Sequence, residues 1–510
     1  MKQQTAYLKN AAILTGTGLV LRAAGMLFRI YIAGRLGGEG MGLYQLILSL
    51  YNLAAAAACA GISVAATRLT AEELAGGDAQ TLLGMLHKVL QIAVLLGCAA
   101  GAAQYLLAWP AAKYWLGDCR AAPALRILAP SLPFMAVAAA LRGYFLGRRQ
   151  ALPGAKAQLL EQLVRIPAVV LMLERVFQQN PQAACTAVLL GNTLSEVVSC
   201  LWLLWFYHKD CRSTFAGVVP CIPEGISCRL RAILLPVEGG RCLSSALQAA
   251  ENMLVPACLA VSLSSREAAL AQYGALKGMA LPLLFFPFSF LSALSALLMP
   301  EITAAWMQKH QRTLQHLISR MLFITMVVAV PVAGLFTACA LPLGQLLYHN
   351  REVGIYLRVL GPLMPCMYLE SMVDGVLKGM GQQMATFRYS MWDSVLRIAG
   401  VVLLLPHFGM DGFLAVMVCS NLFTGIMNTR RMLNTAQMKA CWGSWVLKPL
   451  LVRGAALLLA DHAAAALRTF RPMEALLVKT AVTGAAYVLG MLPLGLGQEL
   501  RTLFGREKDK

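Results

Sequence analysis

The chain has 510 residues, of which 58% are hydrophobic and only 13% are charged, and its mean hydropathy is +0.65. A soluble globular domain carries about 25% charged residues, so this composition excludes an ordinary soluble protein. Apolar runs of about 20 residues recur along the whole chain, which is the length that an α-helix needs to cross a bilayer. Membrane-spanning β-strands would be shorter and would alternate polar with apolar residues, so the sequence predicts an all-α, polytopic membrane protein.

The apolar runs predict about 14 transmembrane helices, joined by short loops that leave no room for a soluble catalytic domain. The basic start MKQQTAYLKN leads into the first run, which contains two arginines and no convincing cleavage site. We therefore interpret it as a retained first helix and not as a signal peptide. The predicted helices are centred, in chain order, near residues 22, 55, 95, 135, 166, 195, 245, 285, 325, 365, 395, 422, 456 and 484.

The net charge of +19 also suggests nucleic-acid binding, but the basic residues are spread over many short loops and form no folded basic domain. Lys and Arg gather on alternate loops, which is typical of the cytoplasmic side of a membrane protein. We therefore expect no nucleic-acid partner, and we expect both termini in the cytoplasm. Two of these basic loops carry Arg148, Arg149 and Lys156, and Arg430, Arg431 and Lys439.

An internal repeat relates the two halves of the chain. The stretch LRILAPSLPFM, which begins at Leu125, returns as LRVLGPLMPCM, which begins at Leu357, at an offset of 232 residues (357 − 125). The register continues without a gap beyond this motif. Gly143, Gly147 and Gln150 match Gly375, Gly379 and Gln382, and Glu161, Arg165 and Ile166 match Asp393, Arg397 and Ile398.

The repeated block starts at predicted helix 4 in one half and at helix 10 in the other, so six helices separate equivalent positions. An even number gives both halves the same orientation, as in parallel-repeat transporters. We predict a six-helix lobe over residues 1–215, a second over 216–438, and two added helices with a basic cytoplasmic tail over 439–510. The prolines of helices 4 and 10 are either hinges or fixed kinks. They are Pro130, Pro133, Pro362 and Pro365.

Two arginines lie inside the first apolar run. Arg22 and Arg29 are seven residues apart, so on an α-helix their side chains differ by only about 20° in azimuth. An arginine at mid-bilayer costs about 2.5–3.5 kcal/mol on insertion scales, so it persists only where it faces protein or a water-filled cavity. The shared face should therefore meet a polar partner or a substrate. For Arg29 the alternative is a position near the interface, where the side chain can snorkel.

Three stretches carry a resemblance to a known family. LFRIYIAGRLGGEGMGLYQ, from Leu27, and GISVAATRLTAEE, from Gly61, resemble the opening of the stage V sporulation protein B family. That family belongs to the polysaccharide-exporter branch of the multidrug/oligosaccharidyl-lipid/polysaccharide (MOP) flippase superfamily. YGALKGMALPLLFFPFSFLSALSALLMPEI, from Tyr273, is similar to the eighth helix of lipid II flippases, in which a cation precedes a proline by five residues. Lys277 and Pro282 keep that spacing.

The resemblance implies a flippase of the bacterial cytoplasmic membrane. Its expected substrate is an undecaprenyl-diphosphate-linked saccharide, and the favoured one is the peptidoglycan precursor lipid II. Its expected partners are membrane lipids and cell-wall synthesis proteins. Related flippases hold the diphosphate with arginines of a central cavity and lay the lipid tail against helices 13 and 14, which match the two unpaired helices here. Those flippases space their first-helix arginines by six residues. The seven-residue spacing of Arg22 and Arg29 turns one side chain by about 100° relative to that pattern.

A diphosphate carries about two negative charges, and arginine forks or lysine point charges offset the cost of moving them through a bilayer. The candidates are Arg22 and Arg29 in the first lobe and Arg241 and Lys277 in the second. Arg241 lies on a polar stripe with Ser245, Gln248 and Asn252, but Glu238, one turn away, could neutralise it. Glu251 is either a coupling-ion or proton site or the partner of Arg22 or Lys277.

Other charged pairs suggest structural roles. Glu161 with Arg165, and their equivalents Asp393 with Arg397, are i, i+4 pairs, and because both lobes have them we expect structural salt bridges. Glu370 and Asp374 lie one turn apart and form the alternative ion site if transport is coupled to a cation.

Three other functions compete with this interpretation. A cation-coupled multidrug exporter of the same superfamily generally has twelve helices and buried carboxylates, whereas residues 10–34 contain no Asp or Glu. A membrane-embedded glycosyl or phosphoglycosyl transferase needs an acid, base or metal cluster, usually on a substantial loop, and these short loops supply none. A non-transporting scaffold would leave the buried cations unexplained. We therefore expect no enzyme activity, no metal and no cofactor, with a coupling cation or the membrane potential as the energy source.

Overall fold

The computed structural model describes the backbone of residues 2–76, 79–175, 181–215, 217–219, 221, 225–466 and 472–496. All the regular secondary structure within these ranges is helical, which confirms the predicted all-α fold. The chain divides into two compact units. The first consists of Met1–Gly278 and Val401–Gly409, and the second of Met279–Gly400 and Met410–Lys510.

The first unit contains eight numbered helices and the π-helical segments that extend two of them. A π-helical turn, Ala111–Leu116, continues α2, and the π-helical segment Gly274–Ala280 continues α8 as far as the unit boundary. The helices are α1 (Lys2–Gly76), α2 (Ala79–Pro110), α3 (Ala121–Leu128), α4 (Ser131–Gly147), α5 (Leu152–Arg175), α6 (Pro181–Thr214), α7 (Ile226–Leu263) and α8 (Arg266–Tyr273).

The second unit contains the remaining helices, except that residues 401–409 of α15 belong to the first unit. A 3₁₀ turn, Gly361–Leu363, precedes α14, and π-helical turns flank α16 and α17 at Gly443–Leu447 and Leu492–Leu496. The helices are α9 (Leu281–Phe285), α10 (Phe288–Met307), α11 (Gln311–Ala338), α12 (Ala340–Tyr348), α13 (Arg351–Leu360), α14 (Met364–Gly379), α15 (Gln383–Thr435), α16 (Lys448–Ala466) and α17 (Pro472–Met491).

Single glycines break the two longest helices. The 75 residues of α1 would extend about 110 Å at 1.5 Å per residue, whereas the hydrocarbon core of a bilayer is about 30 Å thick. Gly37 (φ 68°) interrupts α1 and Gly409 (φ 57°) interrupts α15, both with left-handed backbone that favours glycine. Each break leaves two arms of crossing length, which are residues 2–36 and 38–76 of α1 and residues 383–408 and 410–435 of α15.

With these breaks, every predicted helix centre falls within a described helix, so the fold is consistent with the expected count of about 14. Nine helices in the described part of the chain are long and apolar enough to cross a membrane by themselves.

The helix boundaries follow the sequence repeat. α3 ends at Leu128 and α13 at Leu360, and α4 ends at Gly147 and α14 at Gly379. Both pairs are separated by the 232 residues of the repeat (360 − 128 and 379 − 147). In each copy a proline occupies the short break between the two helices, Pro130 in the first and Pro362 in the second. The repeat therefore encodes a broken pair of helices twice, while a hinge role for its prolines stays a prediction.

A buried cluster fixes the packing of α2, α4 and α6 in the first unit. Leu86, Leu141 and Leu203 pack there around the ring of Tyr144, which is fully buried. The Tyr144 hydroxyl donates a 2.7 Å hydrogen bond to Asp210, and Asp210 also pairs with Arg148 at the end of α4. The polar groups of this core are thus satisfied by one another, as a buried polar group requires.

Helices α7 and α8 pack against α1 in the same unit, although the repeat assigns them to the second lobe. The approach of α1 to the start of the π-helical segment is extremely close. A Cβ atom on Gly274 would lie 2.1 Å from the carbonyl oxygen of Gly38 and 2.5 Å from the amide nitrogen of Gly42. The predicted lobe boundary at residue 215 stays a prediction, because compact packing and repeat symmetry are different properties of the chain.

We expect Gly274→Ala to destabilise the protein by about 1–3 kcal/mol, since the new methyl group would meet backbone atoms that cannot move aside. The measurement is the thermal unfolding midpoint of the purified chain in detergent. Gly454→Ala is the matched control, because no atom lies within 4 Å of a Cβ at that helical position. Equal midpoints for the two variants would contradict the close packing.

Candidate functional site

Arg29, on the first arm of α1, contacts the π-helical segment that follows α8. Its Nε donates a 3.0 Å hydrogen bond to the carbonyl oxygen of Gly278. In an α-helix that carbonyl would accept from the amide four residues later, which is Pro282, and proline has no N–H to donate. Arg29 therefore supplies a donor in place of the α-helical one that Pro282 cannot provide. The proline spacing noted in the sequence thus has a structural consequence one turn before Pro282.

Lys277 lies next to Gly278 and forms an ion pair in the same region. Its Nζ is 3.4 Å from Oε1 of Glu251 on α7, and the two side chains are 17% and 6% exposed. The neighbouring Asn252 donates a 3.1 Å hydrogen bond to Ser49 on the second arm of α1. Of the two roles expected for Glu251, the observed geometry matches that of a partner of Lys277.

The structure therefore gathers several predicted residues in the first unit, and these define the Gly278 site. Arg29 comes from the predicted first lobe, and Lys277, Glu251 and Asn252 come from the predicted second lobe. The sequence analysis missed Ser49, a buried hydroxyl with no charge to mark it. Oδ1 of Asn252 is buried and accepts no hydrogen bond in the described structure, so this acceptor is available to a ligand.

The other cations of the predicted diphosphate site are more exposed. Arg22 lies on the face of α1 that carries Arg29, two turns earlier, and its side chain is exposed. Arg241 and Gln248 on α7 are also exposed. Glu238, which could neutralise Arg241, accepts a 2.7 Å hydrogen bond from the backbone amide of Gly61, and the charge of Arg241 also acts on this carboxylate. The roles of Arg22, Arg241 and Gln248 stay predictions.

The first of the two expected salt bridges is part of a larger buried network. Glu161 pairs with Arg165 on α5 and also with Arg142 on α4, at 3.5 Å. Arg165 donates to the hydroxyl of Ser195 at 3.2 Å, and Glu196, only 9% exposed, lies beside this serine. Arg142 and Glu196 were missed, although each is a charge inside an apolar run, the same signal that identified Arg22.

At the equivalent positions of the second unit, the expected salt bridge of Asp393 with Arg397 stays a prediction. Asp393 accepts a 2.5 Å hydrogen bond from the hydroxyl of Ser420, and its i+4 neighbour Arg397 lies half-buried on the same helix. Asp374 pairs with Lys378 at 2.5 Å, and Glu370 accepts a weak 3.5 Å hydrogen bond from Asn428. The two carboxylates of the predicted ion site thus have separate partners. Within the described residues, no group of three or more His, Cys, Asp or Glu side chains could hold a metal ion.

A separate ionic cluster joins the turn before α3 to α1 and α8. Arg120 pairs with both Glu39 and Asp118, each at 2.8 Å, and Arg266 donates to the carbonyl oxygen of Leu116. Burial raises the pKa of Asp118, but hydrogen bonds from the side chain and backbone of Arg120 outweigh it, and the pKa lies below its usual range. Asp118 therefore keeps its charge at neutral pH, and the cluster links α1, α3 and α8.

Comparisons with known proteins agree with this architecture. The family model for polysaccharide biosynthesis proteins matches residues 7–222, and the MatE model matches residues 241–403. The chain is 27% identical over 418 residues to stage V sporulation protein B of Bacillus subtilis (strain 168), which covers 81% of this chain and 80% of the relative. These matches confirm the family resemblance predicted from the sequence.

Solved structures share the fold. The inward closed conformation of the lipid II flippase MurJ superposes with a TM-score of 0.70 and 11% identity, and the match covers 97% of this chain and 99% of MurJ. An inward-facing multidrug resistance transporter of the MATE family and MOP superfamily superposes with a TM-score of 0.66 and 14% identity, covering 84% of this chain and 100% of that one. At these identities the two structures establish the fold alone.

We expect Lys277→Gln to destabilise the protein by about 3 kcal/mol, because removing one partner of a buried ion pair leaves the other charge in a poorly solvated place. Adding Glu251→Gln to the same chain should recover much of the loss. The measurement is a double-mutant cycle on the unfolding midpoint in detergent.

The matched control for this cycle is Lys378→Gln, which breaks the i, i+4 pair with Asp374. Lys378 is 56% exposed, so its loss should cost less than about 0.5 kcal/mol. If Lys277→Gln and Lys378→Gln cost the same, the Lys277–Glu251 pair does not stabilise the first unit.

Proposed function

We propose that this chain, whose family-model and sporulation-protein matches resemble the multidrug/oligosaccharidyl-lipid/polysaccharide superfamily of membrane transporters, is a flippase for an undecaprenyl-diphosphate-linked saccharide. It is a multi-pass membrane transporter and not an enzyme, as both family models and the sporulation relative indicate. The first substrate to test is lipid II, the peptidoglycan precursor. Transport proceeds by alternating access of the two lobes that the repeat predicts.

The observation that carries this proposal is that the Gly278 site includes two cations, Arg29 and Lys277. Arg29 reaches the carbonyl oxygen of Gly278, and Lys277 is the adjacent residue in the chain. One cation belongs to each predicted lobe. The affinity for a ligand that binds both cations therefore depends on the relative position of the lobes. A diphosphate fits this pair, since an arginine fork and a lysine ammonium are strong partners for phosphate oxygens.

In the absence of substrate, Glu251 holds Lys277 at 3.4 Å. An arriving diphosphate competes with this carboxylate for the ammonium group, and the carboxylate is repelled by the new negative charge. Exchange of Lys277 from Glu251 to the substrate therefore gives binding a direct effect on the contact between α7 and the π-helical segment. Arg22, on the same face as Arg29, extends the positive surface toward the start of α1.

The two structural matches differ in how much of the chain they cover. The MurJ match spans nearly the whole chain, whereas the multidrug match leaves about a sixth of it uncovered. The difference is about the combined length of α16, α17 and their loops. We propose that these two helices accommodate the lipid tail, as the family resemblance implies.

The energy source, membrane and partners are further parts of the proposal. We propose the bacterial cytoplasmic membrane, with both termini in the cytoplasm because the basic loops lie on that side. The membrane potential or a coupling cation drives transport, and Glu370 and Asp374 are the carboxylates proposed to bind such a cation. No other cofactor is expected. Cell-wall synthesis proteins would supply and consume the lipid-linked saccharide.

A second candidate function is cation-coupled export of drugs. The MatE family model matches residues 241–403, a range that includes Glu370 and Asp374. This function predicts loss of transport in Glu370→Gln and no requirement for Arg29. The flippase proposal requires Arg29 and Lys277 whether or not Glu370 binds a coupling cation, so the effect of Arg29→Ala separates the two functions.

The test uses a strain depleted of its own lipid II flippases. Outer-leaflet lipid II is measured by its cleavage with a membrane-impermeant enzyme, at matched expression of each chain. We expect the native chain to restore cleavage, and Arg29→Ala and Lys277→Ala to reduce it by about tenfold or more, which corresponds to about 1.4 kcal/mol in binding. Arg22→Ala should give an intermediate loss.

Two controls separate binding from stability. Arg312→Ala removes an exposed cation at the start of α11 and should restore cleavage as well as the native chain does. The double variant Lys277→Gln/Glu251→Gln should fold stably yet remain inactive. Full activity of that double variant would make the pair purely structural, and failure of the native chain would exclude lipid II as the substrate.

A further inference from the structure

The second unit contains a cavity of about 200 Å³ enclosed by α11, α16 and α17. Its walls are mostly apolar, yet two cations line it, Arg453 on α16 and Lys479 on α17. Thr480 and Thr483 add hydroxyl groups beside Lys479. The twelve described residues of the lining include no carboxylate. A positive cavity in otherwise apolar helices is therefore a feature that the proposed flippase mechanism does not use.

The fold makes space for the guanidinium group. A Cβ atom on Gly334 of α11 would lie 2.4 Å from the central carbon of the Arg453 guanidinium, so glycine at this position allows the cation to reach the cavity. Gly334 lies four residues before the end of α11 at Ala338, which is about 6 Å along the helix. The two cations thus lie near the level at which α11 ends.

Attraction to the end of α11 does not account for this arrangement. The carbonyl groups of the last turn of a helix attract cations, but that effect is weak and short-ranged. The cost of placing Arg453 and Lys479 among apolar helices is larger. The hydroxyl of Tyr487, which also lines the cavity, donates a 3.0 Å hydrogen bond to the carbonyl oxygen of Val327. An anion in the cavity would offset the charge of Arg453, and Lys479 lines the same cavity.

The surroundings indicate that the anion is part of a lipid. α11 and α16 are apolar enough to cross a membrane, and residues 478–494 form a shorter apolar helix. Large apolar side chains next to the lining residues are exposed, with Leu458 at 64% and Leu489 at 66%. Acyl chains can lie on such a surface while a headgroup phosphate reaches the cations, and basic pockets between membrane helices bind anionic headgroups in this way.

We propose that this cavity binds the phosphate of an anionic membrane phospholipid. Arg453 forms the fork that accepts two phosphate oxygens, and Lys479 adds a point charge from the opposite helix. The bound lipid joins α11 to α16 and α17, so its occupancy controls how firmly the two added helices are held. This inference does not depend on the identity of the transported substrate.

The test measures the unfolding midpoint of the full chain in an uncharged detergent during titration with phosphatidylglycerol, phosphatidylcholine or inorganic phosphate. We expect a saturable rise of the midpoint with phosphatidylglycerol and none with the other two at the same concentrations. Arg453→Gln and Lys479→Gln should each weaken the phosphatidylglycerol response by about tenfold. Arg388→Gln, which removes an exposed cation on α15, should leave it unchanged.

Three results would overturn the inference. One is the absence of a saturable response in the native chain. This measurement does not depend on the folding of any variant. Another is an undiminished response in both Arg453→Gln and Lys479→Gln. The third is an equal response to inorganic phosphate, which would assign the cavity to a soluble anion. Native mass spectrometry of the same samples should detect one tightly held phosphatidylglycerol in the native chain and its loss in Arg453→Gln.

Discussion

The interior of a membrane offers no water to satisfy a polar group. The hydrogen bond from Arg29 to Gly278 satisfies two such groups at once. The guanidinium gains an acceptor, and a carbonyl that loses its helical donor to Pro282 gains a donor. The π-helical backbone around Lys277 and the close approach of α1 at Gly274 lie in the same segment as this contact. If a substrate anion binds Arg29 and Lys277, it would therefore affect the backbone of the π-helical segment after α8 as well as the two side chains.

The repeat duplicated a scaffold and left the charges to diverge. Helix ends recur at the same offset in both halves, but Arg142 of the first corresponds to Asp374 of the second (374 − 142 = 232). In the first unit Arg142 joins Glu161 and Arg165 in a buried network, whereas Asp374 pairs with the exposed Lys378. Packing constrains helix length and glycine position equally in both copies, while each charge needs only a local partner. The charges of the two copies can therefore diverge while their helices keep the same lengths.

Much of the fold could be predicted because a bilayer restricts what a chain can do. Hydrophobic length identified the helices, and the repeat predicted the matching breaks at Pro130 and Pro362. The candidate site was predicted in its charged members, since a charge in an apolar run is a strong signal. Ser49 carried no such signal, and its contact with Asn252 depends on how α1 and α7 pack. Arg142 and Glu196 carried the signal and were overlooked.

The sequence by itself determined that the protein lies in a membrane and that it is helical. It also determined the repeat and the identity of the charged residues, because all of these depend on composition and on spacing along one chain. Only the tertiary structure decided which charges meet. Glu238 contacts the amide of Gly61, Glu251 contacts Lys277, and Arg453 reaches a cavity beside Gly334. Each of these partners lies on another helix, and the distance between helices is set by packing of side chains far apart in sequence, which spacing along one helix does not encode.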